Sequence, residues 1–241
     1  MMKRYFYTVT NLYIIFFILI LLSEQLIVSV QYNRYNQTEQ IIVAIDAGHG
    51  GFDPGKVGVY NILEKDINLI ISKKLQKYLE ENEIPVIMTR ADEKGLYKAS
   101  DHNKKSTDMR KRVSIINSSN AVLAVSIHQN SYTNESIKGA QVFYYSESTR
   151  GKELAETIQD SLKNTIQDGN KREAKPNSSY YMLRNTSCPL VIVECGFLTN
   201  YKEAKLLTDD SYQNKIAWAI YLGIIEFINK YYTNSQSESI R

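Results

Sequence analysis

Two histidines and one glutamate in this chain stand where short apolar runs give way to polar loops, and a second glutamate opens a helix-like stretch nearby. His49 follows IIVAIDA in the stretch DAGHGGFDPG, His128 closes AVLAVSIH, and Glu194 closes LVIVE. Glu64 opens an amphipathic stretch after the loop that follows His49. The chain holds only three histidines, so two of the three occupy such positions. Two neutral imidazoles and one carboxylate, with a fourth position open, make a catalytic zinc site. His49, Glu64 and His128 are the expected ligands. A water in the fourth place would have its pKa brought down to roughly 7. Either histidine taken alone reads as a hydrogen-bonded polar residue near a strand end. The two together, with Glu64 and Glu194, read as a metal centre. The spacing is not HExxH, so the ligands are not carried on one helix and are expected to be scattered along a sheet edge.

Glu194 is flanked by Leu190, Val191, Ile192 and Val193 on one side and by Cys195, Gly196 and Phe197 on the other. A carboxylate in such surroundings is disfavoured unless it is paired or hydrogen-bonded. Burial also raises its pKa and suits it to accept and return a proton near neutral pH. The expected role is general base toward the water, then general acid toward a leaving amine. The plainer alternative is a structural salt bridge at a strand end. Gly48, Gly50, Gly51, Gly55 and Gly58 crowd one short stretch of a chain with 11 glycines. That density lets backbone approach a metal or substrate closely. It also resembles a phosphate-binding loop, since Gly50, Gly55 and Lys56 fit the start of the Walker pattern. Val57, however, stands where Ser or Thr is required, and no helix starts at once after Lys56. No nucleotide is expected.

Bringing four scattered residues to one edge requires a sheet, because ligand sites in open α/β sheets gather at the carboxyl ends of the strands. Ile41–Ala47 is a nearly continuous apolar run, as expected for a strand covered on both faces. Residues 64–81 carry one apolar stripe, through Ile67, Ile70, Ile71, Leu75, Tyr78 and Leu79, and predict a helix. Further strands are predicted over Pro85–Arg90, Ala121–His128, Ala140–Tyr145 and Leu190–Glu194. Helices are predicted over Asp108–Ser118, Gly151–Gln167 and Asp210–Tyr232. Strands alternating with helices imply a single α/β domain, its central, mostly parallel sheet covered by helices on both faces. An N-terminal hydrophobic segment precedes it.

Composition excludes several classes. With 241 residues, 43% hydrophobic and 23% charged, the chain is neither a disordered tail protein, a collagen-like rod nor a polytopic membrane protein. Two cysteines rule out a disulfide scaffold and a cysteine-only zinc ribbon. A net charge of +3 gives no electrostatic case for nucleic acid as a partner. Lys3 and Arg4 precede an uncharged stretch whose apolar centre runs from Leu12 to Leu22, so residues 1–30 read as a signal peptide or an N-terminal membrane anchor. Spanning a bilayer takes about 20 predominantly apolar residues, which makes the segment borderline. Glu24 follows, and no clean A-x-A site does, so an uncleaved anchor is at least as well supported as a cleaved signal. With Lys3 and Arg4 held inside, the rest lies outside the cytoplasm. Residues 31–39 read as a linker, 40–232 as the catalytic domain and 233–241 as a disordered tail.

The stretches DAGHGGFDPG, then Glu64, then SIHQNS, then VECGFLTN resemble the zinc-dependent N-acetylmuramoyl-L-alanine amidases of the amidase_3 type. Supporting motifs are VIMTR, Arg112 with Ile116 and Asn117, GAQVFYY, and YYMLRN before Cys188 and Pro189. The likeness runs from about Ile41 to about Tyr232. The resemblance implies zinc on His49, Glu64 and His128, catalysis by Glu194, and hydrolysis of the amide between the lactyl group of N-acetylmuramic acid and L-alanine of the stem peptide. It places Arg184, in YYMLRN, near the groove, where a guanidinium fork suits a stem-peptide carboxylate; a surface ion pair is the alternative. The short layout is similar to the germination-specific amidases of spore-forming bacteria, which prepare cortex peptidoglycan for muramic-δ-lactam formation. Glu64 and His128 are only 64 positions apart, which leaves little room for a regulatory insertion.

The implied partner is peptidoglycan, its glycan strands with their stem peptides. No wall-binding repeat is seen, so a membrane tether or an accessory protein is the expected route to substrate. Two other functions remain open: a catalytically silent wall-binding or scaffold protein, and a zinc peptidase acting within wall peptides. Cys188 and Cys195 flank an extended run that would hold their Cα atoms about 23 Å apart at roughly 3.3 Å per residue, too far for a disulfide. Cys195 is expected on the face opposite Glu194, in packing. A Cys/His zinc site is the weaker alternative for these residues. His102 reads as a polar loop residue. The basic cluster 104–112 (KKSTDMRKR) reads as a solvated helix face, with attraction to anionic wall polymer or headgroups as its functional option. Among the tyrosines, YYMLRN is the stretch expected to touch substrate.

Overall fold

The computed structural model describes residues 18–20, 22–25 and 41–233. Residues 18–20 and 22–25 are helical and belong to a unit separate from the one that begins at Ile41. Among the described residues no helix is long and apolar enough to cross a membrane. The signal or anchor expected over 1–30 lies mostly outside the described residues. The linker at 31–39 lies wholly outside them, as does the tail expected over 233–241 except for Thr233, which ends a π-helical turn, Asn229–Thr233.

From Ile41 the chain alternates as its hydrophobic pattern predicts. Strand β1 is Val43–Ala47, followed by helix α1 at Glu64–Glu80, β2 at Val86–Met88 and α2 at Lys104–Ser118. Next come β3 at Leu123–Asn130, β4 at Gln141–Tyr145, α3 at Thr149–Ile166 and β5 at Lys175–Asn177. The short α4 (Tyr181–Asn185), β6 (Leu190–Phe197), α5 (Tyr201–Leu207) and α6 (Asp210–Ile228) complete it. The six strands lie in the order β2-β1-β3-β6-β4-β5. β2, β1, β3 and β6 run parallel, β4 is antiparallel to β6, and β5 is parallel to β4. The chain moves from β1 outward to β2, then returns to the other side of β1 as β3. That reversal makes the β1/β3 boundary the switch point where a crevice opens at the carboxyl ends.

Side chains alternate across the sheet, and the two faces are covered unequally. Val43 and Ile45, Leu123, Val125 and Ile127, and Val191, Val193 and Cys195 pack with α1, α3 and α6. Ala44, Ala124, Leu190 and Ile192 pack with Val113 and Ile116 of α2 and Met182 and Leu183 of α4. The second face therefore has thinner cover, and period-two alternation puts Asp46, Ser126, His128 and Glu194 on that side. Cys195 is buried on the opposite side from Glu194, as expected, and both cysteines are free thiols.

Several boundaries differ from the sequence reading, each for a physical reason. Helix α2 begins at Lys104 rather than Asp108, because the Asn103 side chain accepts the Ser106 amide proton and caps it. Strands β3 and β6 do not stop at His128 and Glu194. They continue to Asn130 and Phe197, past a register shift after His128. The extension is held by Glu203, a buried carboxylate on α5 that accepts the amide protons of Phe197 and Gly139, each at 2.8 Å. The elements β5, α4 and α5 are too short to leave a periodic signal.

Helices α3 and α6 meet at Gly223, where an added Cβ would lie 2.6 Å from the Ile158 Cα and 2.9 Å from its nitrogen. Backbone cannot withdraw as a flexible side chain can. Gly223→Ala is expected to destabilise the protein by about 1–3 kcal/mol through overpacking, measured by urea unfolding; unchanged stability would show that the helices part freely.

Candidate metal centre

The centre starts from the turn after β1. His49 is a non-glycine residue with φ 62, in the left-handed region, and Gly50 and Gly51 follow with φ 137 and 58. This turn leaves the carbonyls of Ala47, Gly48 and His49 pointing into the protein. Arg112 donates to the carbonyls of Ala47 and His49. Arg90 donates to those of Ala47 (2.8 Å) and Gly48 (3.1 Å), and Asn68 also donates to Gly48 (3.1 Å). Buried carbonyls need such donors. Beneath the turn, Asp46 accepts from Arg112 Nη1 at 2.8 Å and from the hydroxyls of Thr89 and Ser126, each at 2.6 Å. Burial alone would raise the Asp46 pKa. The Arg112 charge and the two hydroxyls outweigh it and hold the carboxyl at about 2. Burial lowers Arg90 to about 10, and the neighbouring Arg112 charge adds to that.

On this base the three expected ligands converge. One ligand atom each from His49, Glu64 and His128 lies within 4.8 Å of the others. Glu64 Oε1 stands 3.2 Å from His49 Nε2 and 2.9 Å from His128 Nδ1. Glu64 is the first residue of α1, where the helix dipole favours its charge. Its Oε2 accepts from the Lys56 amide at 2.7 Å and its Oε1 from the Gln129 amide at 3.2 Å. Burial opposes ionisation of Glu64, but hydrogen bonds to His128 and His49 prevail, and its pKa lies well below the usual carboxylate range. Burial would lower the His128 pKa, yet its bond to Glu64 raises it. The glycines serve close approach as expected. A Cβ at Gly48 would lie 2.3 Å from the His128 ring, and one at Gly55 would lie 2.5 Å from Glu64 Oε2.

Glu194 faces the same space. It is level with His128 across the β3/β6 pairing. Its Oε2 is buried with no hydrogen-bond partner among the described residues. Burial pushes its pKa up to about 7; the His128 charge pulls it down, and the Glu64 charge pushes it further up. An open cavity of about 670 Å³ lies over these groups, with Met109, Tyr180, Tyr181, Met182 and Ile192 among its apolar walls and Lys105, Asn130 and Ser131 among its polar ones. Two imidazole nitrogens and a carboxylate oxygen at this separation, beside an unpartnered carboxylate, fit a zinc with three protein ligands.

Not every sequence expectation falls at this site. Arg184 is exposed on α4 and is not among the residues lining the cavity; its charge acts instead near the Tyr145 phenol. Its neighbours Tyr180 to Met182 do line the cavity. The basic cluster is only partly a solvated face. Arg112 is buried, because its helix turns it under the sheet edge toward Asp46 and Asp108. Lys105 borders the cavity, 3.3 Å from Asp53. His102 sits exposed in a turn. Asp46 and Asp53 lie within DAGHGGFDPG and Arg90 within VIMTR, but sequence spacing gives no role to any of them or to Asn68.

The part of the chain that carries this geometry is similar to known proteins. Positions 43–226 match the family model described as N-acetylmuramoyl-L-alanine amidase, Amidase_3. A germination-specific N-acetylmuramoyl-L-alanine amidase of Bacillus subtilis (strain 168) is 38% identical over 192 residues, which is 78% of this chain and 80% of that protein. The CwlD amidase from Clostridioides difficile, solved in complex with the GerS lipoprotein, is 43% identical with a TM-score of 0.76 over 78% of this chain and 98% of that one. The amidase AmiC2 of Nostoc punctiforme is 31% identical with a TM-score of 0.70 over 80% and 99%.

Two outcomes follow from the buried charges. Arg112→Ala strands Asp46 beneath the turn and is expected to destabilise the protein by about 3–5 kcal/mol; a loss under 1 kcal/mol in urea unfolding would mean that Asp46 finds another donor. Burial pushes the Glu194 carboxyl up to about 7 in the folded chain, from an ordinary 4.5. Its neutral form therefore favours the fold fully below the unfolded value, and that contribution is lost as pH rises through about 7. Glu194→Gln should raise the Tm of the metal-free protein at pH 8, with the gain fading toward pH 4.5. A gain that grows toward acid would reverse this account.

Proposed function

The chain belongs to the N-acetylmuramoyl-L-alanine amidase family and is a hydrolase of that kind, and from that premise we propose that it is zinc-dependent, with His49, Glu64 and His128 as ligands and Glu194 as the proton-transfer residue. The bond cut is the amide between the lactyl group of N-acetylmuramic acid and L-alanine of the stem peptide. Zinc bound there supplies Lewis acidity, acidifying a water and polarising the scissile carbonyl. Glu194 takes a proton from the attacking water as the new C–O bond forms. It returns that proton to the alanine nitrogen as the C–N bond breaks. A carboxyl raised to about 7 is suited to both transfers near neutral pH.

One observation carries this reading. The Glu194 Oε2 atom is buried with no hydrogen-bond partner among the described residues, level with His128 and lining the same cavity as His49 and Glu64. A carboxylate serving only structure would have its oxygens satisfied, as those of Glu203 are by two backbone amides. Tyr180 adds to the setting: burial and the Glu194 charge raise its phenol pKa. Tyr180 and Tyr181 offer aromatic faces and edges to the sugar or peptide in the cavity. Arg184, outside the cavity wall, is assigned to a carboxylate on the part of the stem peptide that extends beyond it.

The finer biology is part of the same proposal. The likeness to a germination-specific amidase favours spore cortex as the wall form cut before muramic-δ-lactam formation. The domain works on the extracytoplasmic side, led there by a signal or anchor within residues 1–30. An accessory protein assists it, a reading supported by a similar amidase having been solved with a lipoprotein.

Defined muropeptides with and without added zinc test the activity. Glu194→Ala is expected to retain one zinc per chain while turnover falls by about 10²–10⁴. His128→Ala is expected to weaken zinc binding itself. Full turnover in Glu194→Ala would falsify the proton-transfer role, and unchanged zinc affinity in His128→Ala would remove that residue from the ligand set.

A further inference from the structure

We propose that Asp53 is a positioning residue that dictates which nitrogen His49 offers to the metal, an inference that rests on the zinc reading above. Asp53 Oδ2 lies 3.0 Å from His49 Nδ1. Its other oxygen, Oδ1, accepts the Gly55 amide proton at 3.1 Å. The turn holds the two residues in fixed relation, because Gly50 and Asp53 exchange backbone hydrogen bonds at 3.0 and 3.2 Å. A neutral imidazole carries one N–H, and an ionised carboxylate can only accept. Asp53 therefore keeps the His49 proton on Nδ1 and leaves the Nε2 lone pair facing the ligand cluster, where Nε2 stands 3.2 Å from Glu64 Oε1.

His128 is oriented the other way. Its Nδ1 faces Glu64 at 2.9 Å, and its Nε2 side lies against the backbone of Gly48. The two histidines thus present different nitrogens, and each must hold its proton on the opposite atom. Among the described residues, His49 is the one of the two with a side-chain carboxylate, that of Asp53, hydrogen-bonded at the far ring nitrogen.

Asp53→Asn separates a tautomer role from a merely structural one. The amide side chain has one acceptor and one donor end. The Gly55 N–H can only donate, whereas an imidazole can change tautomer. The amide oxygen therefore stays on Gly55 and its NH2 group meets His49 Nδ1, which must then accept. That moves the proton to Nε2 and blocks the metal-facing position. Asp53→Ala loses the Gly55 bond as well but exerts no pull on the tautomer. Support for the turn predicts that Asn is the milder change. Control of the tautomer predicts that Asn is at least as harmful as Ala.

The experiment is a zinc competition titration of the full chain as wild type, Asp53→Asn and Asp53→Ala, with ¹⁵N spectra of the zinc-loaded wild type. The expected result is zinc affinity about 10–100-fold weaker in Asp53→Asn, and no tighter than in Asp53→Ala. Wild-type affinity in Asp53→Asn, or a clear advantage of Asn over Ala, overturns the proposal. The spectra should show His49 protonated on Nδ1 and His128 on Nε2; with three histidines in the chain the signals can be assigned. A His49 proton on Nε2 overturns the proposal whether or not the variants fold. A wild type that binds no zinc removes the metal reading and this inference with it, whereas normal wild-type binding with an indifferent Asp53 removes the inference alone.

Discussion

Three successive carbonyls of the turn after β1 point into the protein, and that turn exists only because two buried guanidinium groups and one amide take them. Arg112 and Arg90 come from different elements, and each reaches the Ala47 carbonyl. Their charges would repel and be costly to bury without Asp46, which Arg112 meets at 2.8 Å. The turn in turn sets His49 in a left-handed conformation from which its ring can face Glu64. Stability and the proposed chemistry are therefore joined: the ion pair at the sheet edge also fixes the backbone that carries His49, one of the proposed ligands.

The sheet supplies the second constraint, which is level. Parallel pairing sets Asp46 beside Ser126 and His128 beside Glu194. Period-two alternation brings all four to the thinly covered face. A cavity opens there because α2 and the five-residue α4 leave part of that face unroofed. On the opposite face three long helices pack tightly, close enough that Gly223 is required where α6 meets α3. One face holds the fold together and the other is left free for substrate.

Carboxylates in this molecule divide by how their lone pairs are used. Asp46, Glu64 and Glu203 have both oxygens engaged by donors, and they hold backbone or ligands in place. Glu194 alone among these four keeps an oxygen free, and burial makes it hold a proton near neutral pH. Whether donors surround it decides whether such a side chain is locked in place or left suited to accept and return a proton.

Composition and periodicity in the sequence determined the α/β class and the main strands and helices, and pointed to the four proposed residues of the centre. They could do so because apolar runs of strand length stand out, and because His and Glu at the ends of such runs are rare without a purpose. The motifs of the family resemblance led to the same four positions. What only tertiary structure decided was which polar residues from distant segments meet. Arg112 looks like one of several basic residues on a solvated helix until the sheet places Asp46 beside it, 66 positions away in the chain. Arg184 shares a motif with cavity residues, yet the turn of α4 directs it outward. Strand ends at Asn130 and Phe197, and the short α5 that secures them through Glu203, depend on buried hydrogen bonds between segments. A single chain pattern records what each residue prefers; partner choice in a buried polar network is set by three-dimensional proximity, which local spacing does not encode.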